Sequence, residues 1–156
     1  MKRLYAVIAL ILCALLISAC GGGAAEQKTV ELAPLYDSMT AGADIPEMVL
    51  VPENRIERAF GISGEDCSQL VVAVCADGVR ADEIWLVEAV DEAAADRIEQ
   101  LAADRVEQRK EEMENYLPDQ YALLCEAQLI REGRYVALIV SPDAKGMAET
   151  FRAALG

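Results

Sequence analysis

Apolar residues are unevenly distributed along the 156-residue chain, and the first run of them stands apart. Residues 4–16 are uncharged and apolar, follow the basic Met1-Lys2-Arg3, and lead into Ile17-Ser18-Ala19-Cys20. As a helix, residues 4–17 would be about 21 Å long, which is short of a ~30 Å hydrocarbon core. A basic start, an apolar centre and small residues at the end are typical of a cleavable export signal. We therefore predict a signal peptide over residues 1–19.

The end of this segment resembles a lipobox, in which a branched apolar residue and two small residues precede a cysteine. In lipoprotein signal peptides the small residues are recognised by a peptidase, and the cysteine sulfur takes a diacylglyceryl group. The resemblance implies peptidase recognition through Ile17, Ser18 and Ala19, and lipidation of Cys20. Two acyl chains on one residue satisfy the requirement for stable membrane attachment. An ordinary secretory signal or an uncleaved anchor is the alternative.

The chain after the leader divides into a tether and one domain. Gly21 to Thr29 is rich in glycine and polar residues and lacks apolar periodicity, as is typical of a flexible tether. The rest of the chain is long enough for one domain with its own hydrophobic core. We assign the lipidated cysteine and its tether to residues 20–29 and a single domain to residues 30–156.

The spacing of apolar residues predicts two short helices at the start of the domain. The first covers residues 30–40, and the second begins with Pro52 at its first helical position and ends at Gly61. Apolar residues recur at helical spacing in both, at Leu32, Leu35 and Met39 and then at Ile56, Ala59 and Phe60.

Two hairpins are predicted in the remaining chain. Residues 69–76 and 83–90 are rich in β-branched and apolar residues and flank the turn sequence Asp77-Gly78. Residues 125–131 and 134–140 form a second pair of strands, which we expect to be joined by Glu132-Gly133.

A helix comes after each hairpin. The first is long, from the N-cap Asp91 to Leu117, where Pro118 stops it. The second begins with Ser141 as its cap and Pro142 at its first position.

In chain order, the two hairpins and the helices that follow them give β-β-α-β-β-α, which is an α+β fold. We predict two layers, a four-stranded antiparallel sheet with both helices on one face, preceded by the short N-terminal helices. Residues 71–74 and 136–140 are apolar at consecutive positions, so both faces of the sheet need to be covered. The N-terminal helices are the expected cover of the second face, and a partner protein or a self-association surface is the alternative.

Charge and composition narrow the classes of function. The formal net charge is -13, and it becomes -15 when the leader is removed with the two positive charges of Lys2 and Arg3. Such a protein repels nucleic acid, so no nucleic-acid partner is expected. Histidine is absent, which removes the usual acid–base group at neutral pH and the commonest metal ligand. We expect no metal and no cofactor.

Of the five cysteines, Cys13 and Cys20 belong to the leader and the processing site. The others, Cys67, Cys75 and Cys125, show no zinc-type or C-x-x-C spacing. Along a strand, Cys67 and Cys75 would be about 26 Å apart, too far for a disulfide. A bridge from Cys125 to either Cys67 or Cys75 stays open, and free thiols packed as apolar residues are the alternative.

Carboxylates supply the only candidate catalytic groups. They are densest at Asp77, Asp82 and Glu83 near the first hairpin and at Glu111, Glu112 and Glu114 on the long helix. Neither group has the spacing of a calcium loop, and we interpret both as solvated faces. A carboxylate pair acting as acid and base, as in glycoside hydrolysis, is the enzymatic alternative.

Several ordered motifs closely resemble the bacterial lipoprotein family catalogued as domain-of-unknown-function family 4358. They are Ala81-Asp82-Glu83-Ile84, residues 97–109, residues 116–121, Glu126-Ala127, Gly133-Arg134-Tyr135-Val136 and Ser141-Pro142-Asp143-Ala144. The likeness spans about residues 49–155. Members come mostly from Gram-positive, mainly clostridial, bacteria and commonly begin with a lipobox. Arg134 departs from the small polar residue usual after the hairpin glycine, and the resemblance carries over no catalytic or binding residue.

Together these features predict a non-catalytic lipoprotein on the extracytoplasmic face of the cell membrane. We expect acylated Cys20 to insert in the lipid and the domain to bind another protein of the cell envelope. A small envelope hydrolase with paired carboxylates is one alternative, and a transporter-associated ligand-binding lipoprotein is another. The second alternative is ranked last because one domain of this size has no second lobe to close on a ligand.

Overall fold

A five-stranded antiparallel sheet with helices on both faces forms the domain in the computed structural model, which describes residues 29–156. The helices are α1 (Leu32–Thr40), α2 (Glu53–Phe60), α3 (Glu92–Met113), α4 (Pro118–Cys125) and α5 (Ala144–Leu155). The strands are β1 (Met48–Leu50), β2 (Cys67–Cys75), β3 (Glu83–Ala89), β4 (Gln128–Glu132) and β5 (Tyr135–Val140). The predicted signal peptide, Cys20 with its three preceding recognition residues, and nearly all of the tether lie outside the described residues.

The sheet has the order β1-β2-β3-β5-β4, so the prediction of four strands is wrong by one. The two predicted hairpins are present, and β3 pairs antiparallel with β5 to join them at the centre. The additional strand, β1, has three residues and pairs with residues 73–75 at the edge of the first hairpin. A strand this short has no alternation by which the sequence would reveal it.

The helices lie on both faces, so the two-layer prediction is also wrong. Helix α3 packs on the face that carries Trp85 and Val87, whereas α5 packs on the face that carries Ile84 and Leu86. Both faces need cover because residues 71–74 and 136–140 are apolar at consecutive positions, which places apolar side chains on both sides of the sheet. The fold is therefore α+β in three layers.

The second face is covered from both ends of the domain. Buried side chains of α1 pack there, as predicted, together with those of α5; they are Leu32, Leu35 and Met39 from α1 and Met147, Ala148 and Phe151 from α5. Helix α2 does not join them, because its buried Ile56 belongs to the core on the α3 side.

Several boundaries differ from the predicted ones around proline and glycine. Helix α3 ends at Met113, four residues before the predicted end at Leu117, because the chain turns over residues 114–116. Pro118 therefore does not stop α3 but opens α4, in whose first turn its fixed φ is already helical. The second hairpin turns at Gly133-Arg134 rather than Glu132-Gly133, with Gly133 at φ +57°. Pro52 is the N-cap of α2, and α5 begins at Ala144 after its N-cap, Asp143.

Candidate functional site

One edge of the sheet is only partly covered. Strand β1 pairs with the last residues of β2, and the Val51 N–H then donates to the Val72 carbonyl at 2.8 Å. Beyond this bond the chain turns away at Pro52 into α2. Within residues 29–156 no strand lies beside residues 67–71 of β2 on this side. We call this stretch of β2 and the two cavities beside it the edge groove.

The first cavity lies on the α3 side of the edge groove, between α2 and the start of β2. It has a volume of about 360 Å³. Its floor is apolar, with buried Ile56 and Ile62, and its rim carries the carboxylates of Glu53 and Glu57. Cys67 also lines it, and burial, followed by the charge of Asp66, raises the pKa of the Cys67 thiol to about 11.

The second cavity lies between α1, the end of β1 and β2, with a volume of about 370 Å³. Apolar side chains and one aromatic ring dominate it: Ala33, Tyr36, Leu50, Val51 and Val71. Leu50 is 57% exposed, so a large apolar side chain remains open to a ligand at this position. Burial, followed by the charge of Asp37, raises the pKa of Tyr36 above its usual value.

The two cavities are neighbours across the strand edge. Leu70 and Glu53 line both of them. Every charged side chain that lines either cavity is acidic, namely Asp37, Glu53 and Glu57. Among residues 29–156 none of these three carboxylates is in an ion pair. The edge groove therefore presents uncompensated negative charge next to open apolar surface.

The first described residues are fixed to the sheet close to the edge groove. The Val30 N–H donates to the Tyr135 hydroxyl at 3.2 Å, and the Gln69 side-chain amide donates to the Val30 carbonyl at 2.9 Å. The Leu32 N–H donates to the Gln69 side-chain oxygen at 3.0 Å. Gln69 also lines the first cavity, so the domain starts at the end of the sheet where that cavity opens.

Two of the acidic residues singled out in the sequence are buried. Asp82 and Glu83 are 3% and 4% exposed, so their interpretation as a solvated face is wrong. Arg80 donates to Asp82 at 2.9 Å, and Arg105 donates to Glu83 at 2.9 Å from the facing helix α3. These arginines allow the carboxylates to stay inside. By contrast, the three glutamates near the end of α3 are exposed, as predicted.

A third buried carboxylate, Glu88, explains the unusual turn residue of the second hairpin. Arg134 donates to Glu88 at 3.0 Å and to the carbonyls of Ala89 and Val90 at 3.2 Å each. Gln69 donates to the other oxygen of Glu88 at 2.7 Å. Arg134 therefore joins the two hairpins through its side chain, which a small polar residue would not do.

A pair of carboxylates, Glu53 and Glu57, lies on one side of the edge groove, whereas Asp37 lines only the other cavity. Glu53 and Glu57 are one turn apart on α2 and line the same cavity. Glycoside hydrolysis needs one carboxyl group on each side of the scissile bond. Two groups on one helix face approach a bound molecule from the same side, so this pair favours charge recognition over hydrolysis.

The three cysteines of the domain are free thiols in the structure, and neither of the two bridges left open by the sequence is present. Cys67 and Cys75 lie at opposite ends of β2, as the strand prediction implied. Cys75 is buried, Cys67 is half-buried, and Cys125 is exposed at the end of α4.

Two other kinds of site are absent from the described part of the chain. No group of histidine, cysteine or acidic residues in residues 29–156 is arranged to hold a metal ion. In the same part of the chain, none of the helices is both long and apolar enough to cross a membrane.

The edge groove was not foreseen from the sequence. A signal for it exists in the short apolar run Met48-Val49-Leu50, which is cut off by Pro52 two residues later. A strand that ends so early beside a longer neighbour leaves part of that neighbour unpaired.

Comparison with known proteins gives a family and no function. A family model described as a domain of unknown function, DUF4358, matches residues 41–141. The match covers all five strands and leaves α1 and α5 outside. No curated protein and no solved structure matches the chain.

Proposed function

The chain belongs to the family described as domain of unknown function DUF4358, and on that premise we propose that it is a membrane-anchored lipoprotein of the cell envelope. Its domain is held outside the cytoplasmic membrane and binds another envelope protein without catalysing a reaction. The observation that carries this proposal is the edge groove, a concave surface that combines unpaired strand backbone, open apolar side chains and uncompensated carboxylates.

The anchor is supported by the lipobox-like residues before Cys20 and by the way the domain begins. Nine residues, Gly21 to Thr29, lie between the proposed lipidated Cys20 and Val30. As a glycine-rich coil they would span roughly 15 to 18 Å. Since Val30 is bonded to Gln69 and Tyr135, this length would hold the open end of the edge groove close to the membrane surface.

The charge of the chain supports a protein partner over the other polymers of the envelope. Removal of the leader with Lys2 and Arg3 changes the net charge from -13 to -15. A chain with this charge repels anionic polymers and anionic lipid headgroups. A partner with a basic or neutral contact surface meets no such barrier.

Metabolic labelling with a fatty-acid probe tests the anchor. We expect label in the wild-type chain and in Cys13→Ala, which changes the other leader cysteine, and no label in Cys20→Ala. Incorporation that survives Cys20→Ala would overturn the lipoprotein assignment.

Photo-crosslinking in intact cells tests the binding role. A photoreactive amino acid at Leu50 in the edge groove should give a discrete adduct, and the same group at Val79 should not. Val79 is the matched control because it is also apolar and 61% exposed but lies in the turn between β2 and β3. Identical adduct patterns at both positions would contradict a specific surface at the edge groove.

A further inference from the structure

We propose that the edge groove binds an extended, basic segment of the partner as an additional strand beside β2, with alternate side chains entering the two cavities. This inference rests on the proposed function, because it specifies the chemistry of the partner at that surface. Three observations carry it: the backbone of β2, the position of the cavities and their charge.

The backbone of β2 offers hydrogen bonds at the open edge. The Ala76 N–H donates to the Glu47 carbonyl at 2.8 Å, and the Val72 carbonyl accepts from Val51 at 2.8 Å. The backbone groups of these even-numbered residues therefore point toward the β1 side. Because backbone direction alternates along a strand, the N–H and carbonyl of Leu70 point to the same side, where β1 has already ended. An added strand would continue the line of β1 and bond to Leu70.

The cavities are placed as an added strand requires. Val72 and Leu70 face the α3 side of the sheet, and Val71 faces the α1 side. The first cavity lies on the α3 side and the second includes Val71 and the α1 residues. Successive side chains of a strand point to opposite faces, so a bound segment would place every second side chain in each cavity.

The two cavities differ in the side chain that they fit. Glu53 and Glu57 at the first cavity would pair with a lysine or arginine, whose aliphatic part would rest on Ile56. The second cavity also borders Asp37 and Glu53, but most of its lining is apolar, including Leu50 and Val71, and this lining favours an aliphatic side chain. The segment that fits both has alternating basic and aliphatic residues, and the absence of any basic side chain lining the edge groove removes repulsion against it.

Binding of defined peptides to the intact purified lipoprotein in detergent tests this inference. The first probe is a fluorescent hexapeptide of alternating valine and lysine with blocked ends. A second probe carries N-methyl groups on all of its internal amides, which removes the N–H donors of both strand edges and keeps its charge. A third has glutamate in place of lysine. Fluorescence anisotropy gives the affinity, and hydrogen exchange reports the amide of Leu70.

We expect saturable binding of the valine–lysine peptide, at least tenfold weaker binding of the N-methylated peptide and none of the glutamate peptide. The double variant Glu53→Gln/Glu57→Gln should weaken binding at least fivefold. The control Glu111→Gln/Glu114→Gln removes the same charge from exposed positions on and just after α3, and it should change affinity less than twofold. Exchange of the Leu70 amide should slow in the complex.

Three results would overturn the inference: no saturable binding of the valine–lysine peptide, equal loss in the groove variant and the control variant, or unchanged exchange at Leu70. Equal loss would mean that the net charge of the protein attracts the peptide without a site. Fatty-acid labelling and crosslinking at Leu50 are independent of this assay, so failure of the peptides leaves the proposed anchor and binding role to be judged by those tests.

Discussion

Arg105 on α3 and Glu83 on β3 form a bidentate ion pair inside the domain. The Nη2 and Nε atoms of Arg105 lie 2.9 and 3.1 Å from the two carboxylate oxygens, Oε2 and Oε1 respectively. The indole N–H of Trp85 donates to Oε1 at 2.6 Å, and the Arg105 guanidinium lies 5.3 Å from the centre of the Phe60 ring. One arginine thus connects α3 to β3 and to the last residue of α2.

Removing Arg105 should destabilise the domain strongly. Arg105→Ala leaves Glu83 buried without its counter-charge, and loss of one partner of a buried pair costs about 3–5 kcal/mol. Lys145→Ala is the control, since its ion pair with Glu126 is exposed on both sides and such pairs contribute about 0–1 kcal/mol. Chemical denaturation followed by the fluorescence of Trp85 measures both. Equal losses of unfolding free energy in the two variants would show that the buried pair contributes no more to stability than the exposed pair.

Helix α1 should be an integral part of the core although it lies outside the matched family region. Leu32→Ala truncates a side chain that is 1% exposed, and we expect a loss of about 2–5 kcal/mol in the free energy of unfolding. Val79→Ala, at a position 61% exposed, should stay within about 0.5 kcal/mol of the wild type. A loss below about 1 kcal/mol for Leu32→Ala would mean that α1 contributes little to folding.

A chain without residues 30–40 should associate. Its second sheet face would expose Ile84, Leu86 and Ile139, which α1 and α5 cover together in the intact domain. Size-exclusion chromatography with light scattering measures the molecular mass of the truncated chain. A monodisperse monomer would contradict the role given to α1.

Gly61 should resist substitution for two reasons. It ends α2 at φ +76°, and an added Cβ would lie 3.3 Å from a methyl group of Leu101. We expect Gly61→Ala to cost about 1–2 kcal/mol, because side chains disfavour this conformation. Gly78→Ala is the control, with no atom within 4 Å of the added Cβ. Thermal unfolding of both variants gives the comparison, and an unchanged melting temperature for Gly61→Ala would contradict the strain.

Stability should fall between about pH 9 and pH 11 through Cys67. Its pKa is raised to about 11 by burial and by Asp66, so the folded thiol keeps its proton where the unfolded thiol has lost it. The folded state therefore binds the thiol proton more tightly than the unfolded state does. The resulting contribution to stability is fully present below the unfolded pKa and is lost as the pH rises through the folded pKa. Denaturation of the wild type and of Cys67→Ala at several pH values isolates the effect. Parallel pH profiles would rule it out.

The same environment predicts the order in which the thiols react. At pH 8 the exposed Cys125 should be alkylated first, with Cys67 slower because of its raised pKa and Cys75 slowest because it is buried. Peptide-level mass spectrometry after brief alkylation reads each site separately. Modification of Cys75 before Cys125 would contradict the burial of Cys75 in β2.

Much of the architecture follows from local pattern. The two hairpins and the long helix from Glu92 were predictable because turn residues, alternation and the cap at Asp91 act over a few positions. The cover of both sheet faces was also predictable, because consecutive apolar residues in a strand leave no face for water.

Contacts between distant residues were not predictable in the same way. The sequence predicts that Asp82 and Glu83 are exposed to solvent. In the folded chain, α3 places Arg105, which is 22 residues after Glu83, in contact with the Glu83 carboxylate. Glu88 lies in an apolar strand, and its partner Arg134 is 46 residues away. Burial of a charge depends on a partner that only the folded chain supplies.

The sequence by itself determined the α+β class, the membership of the family and the lipobox-like segment, since each rests on the order of residues alone. Only the tertiary structure decided which helices cover each face, the fifth strand and the edge groove. The groove arises where β1 ends before its neighbour, and the length of unpaired edge is set by how two strands align in register. That alignment joins residues 48–50 to residues 73–75 and is a property of the packed sheet.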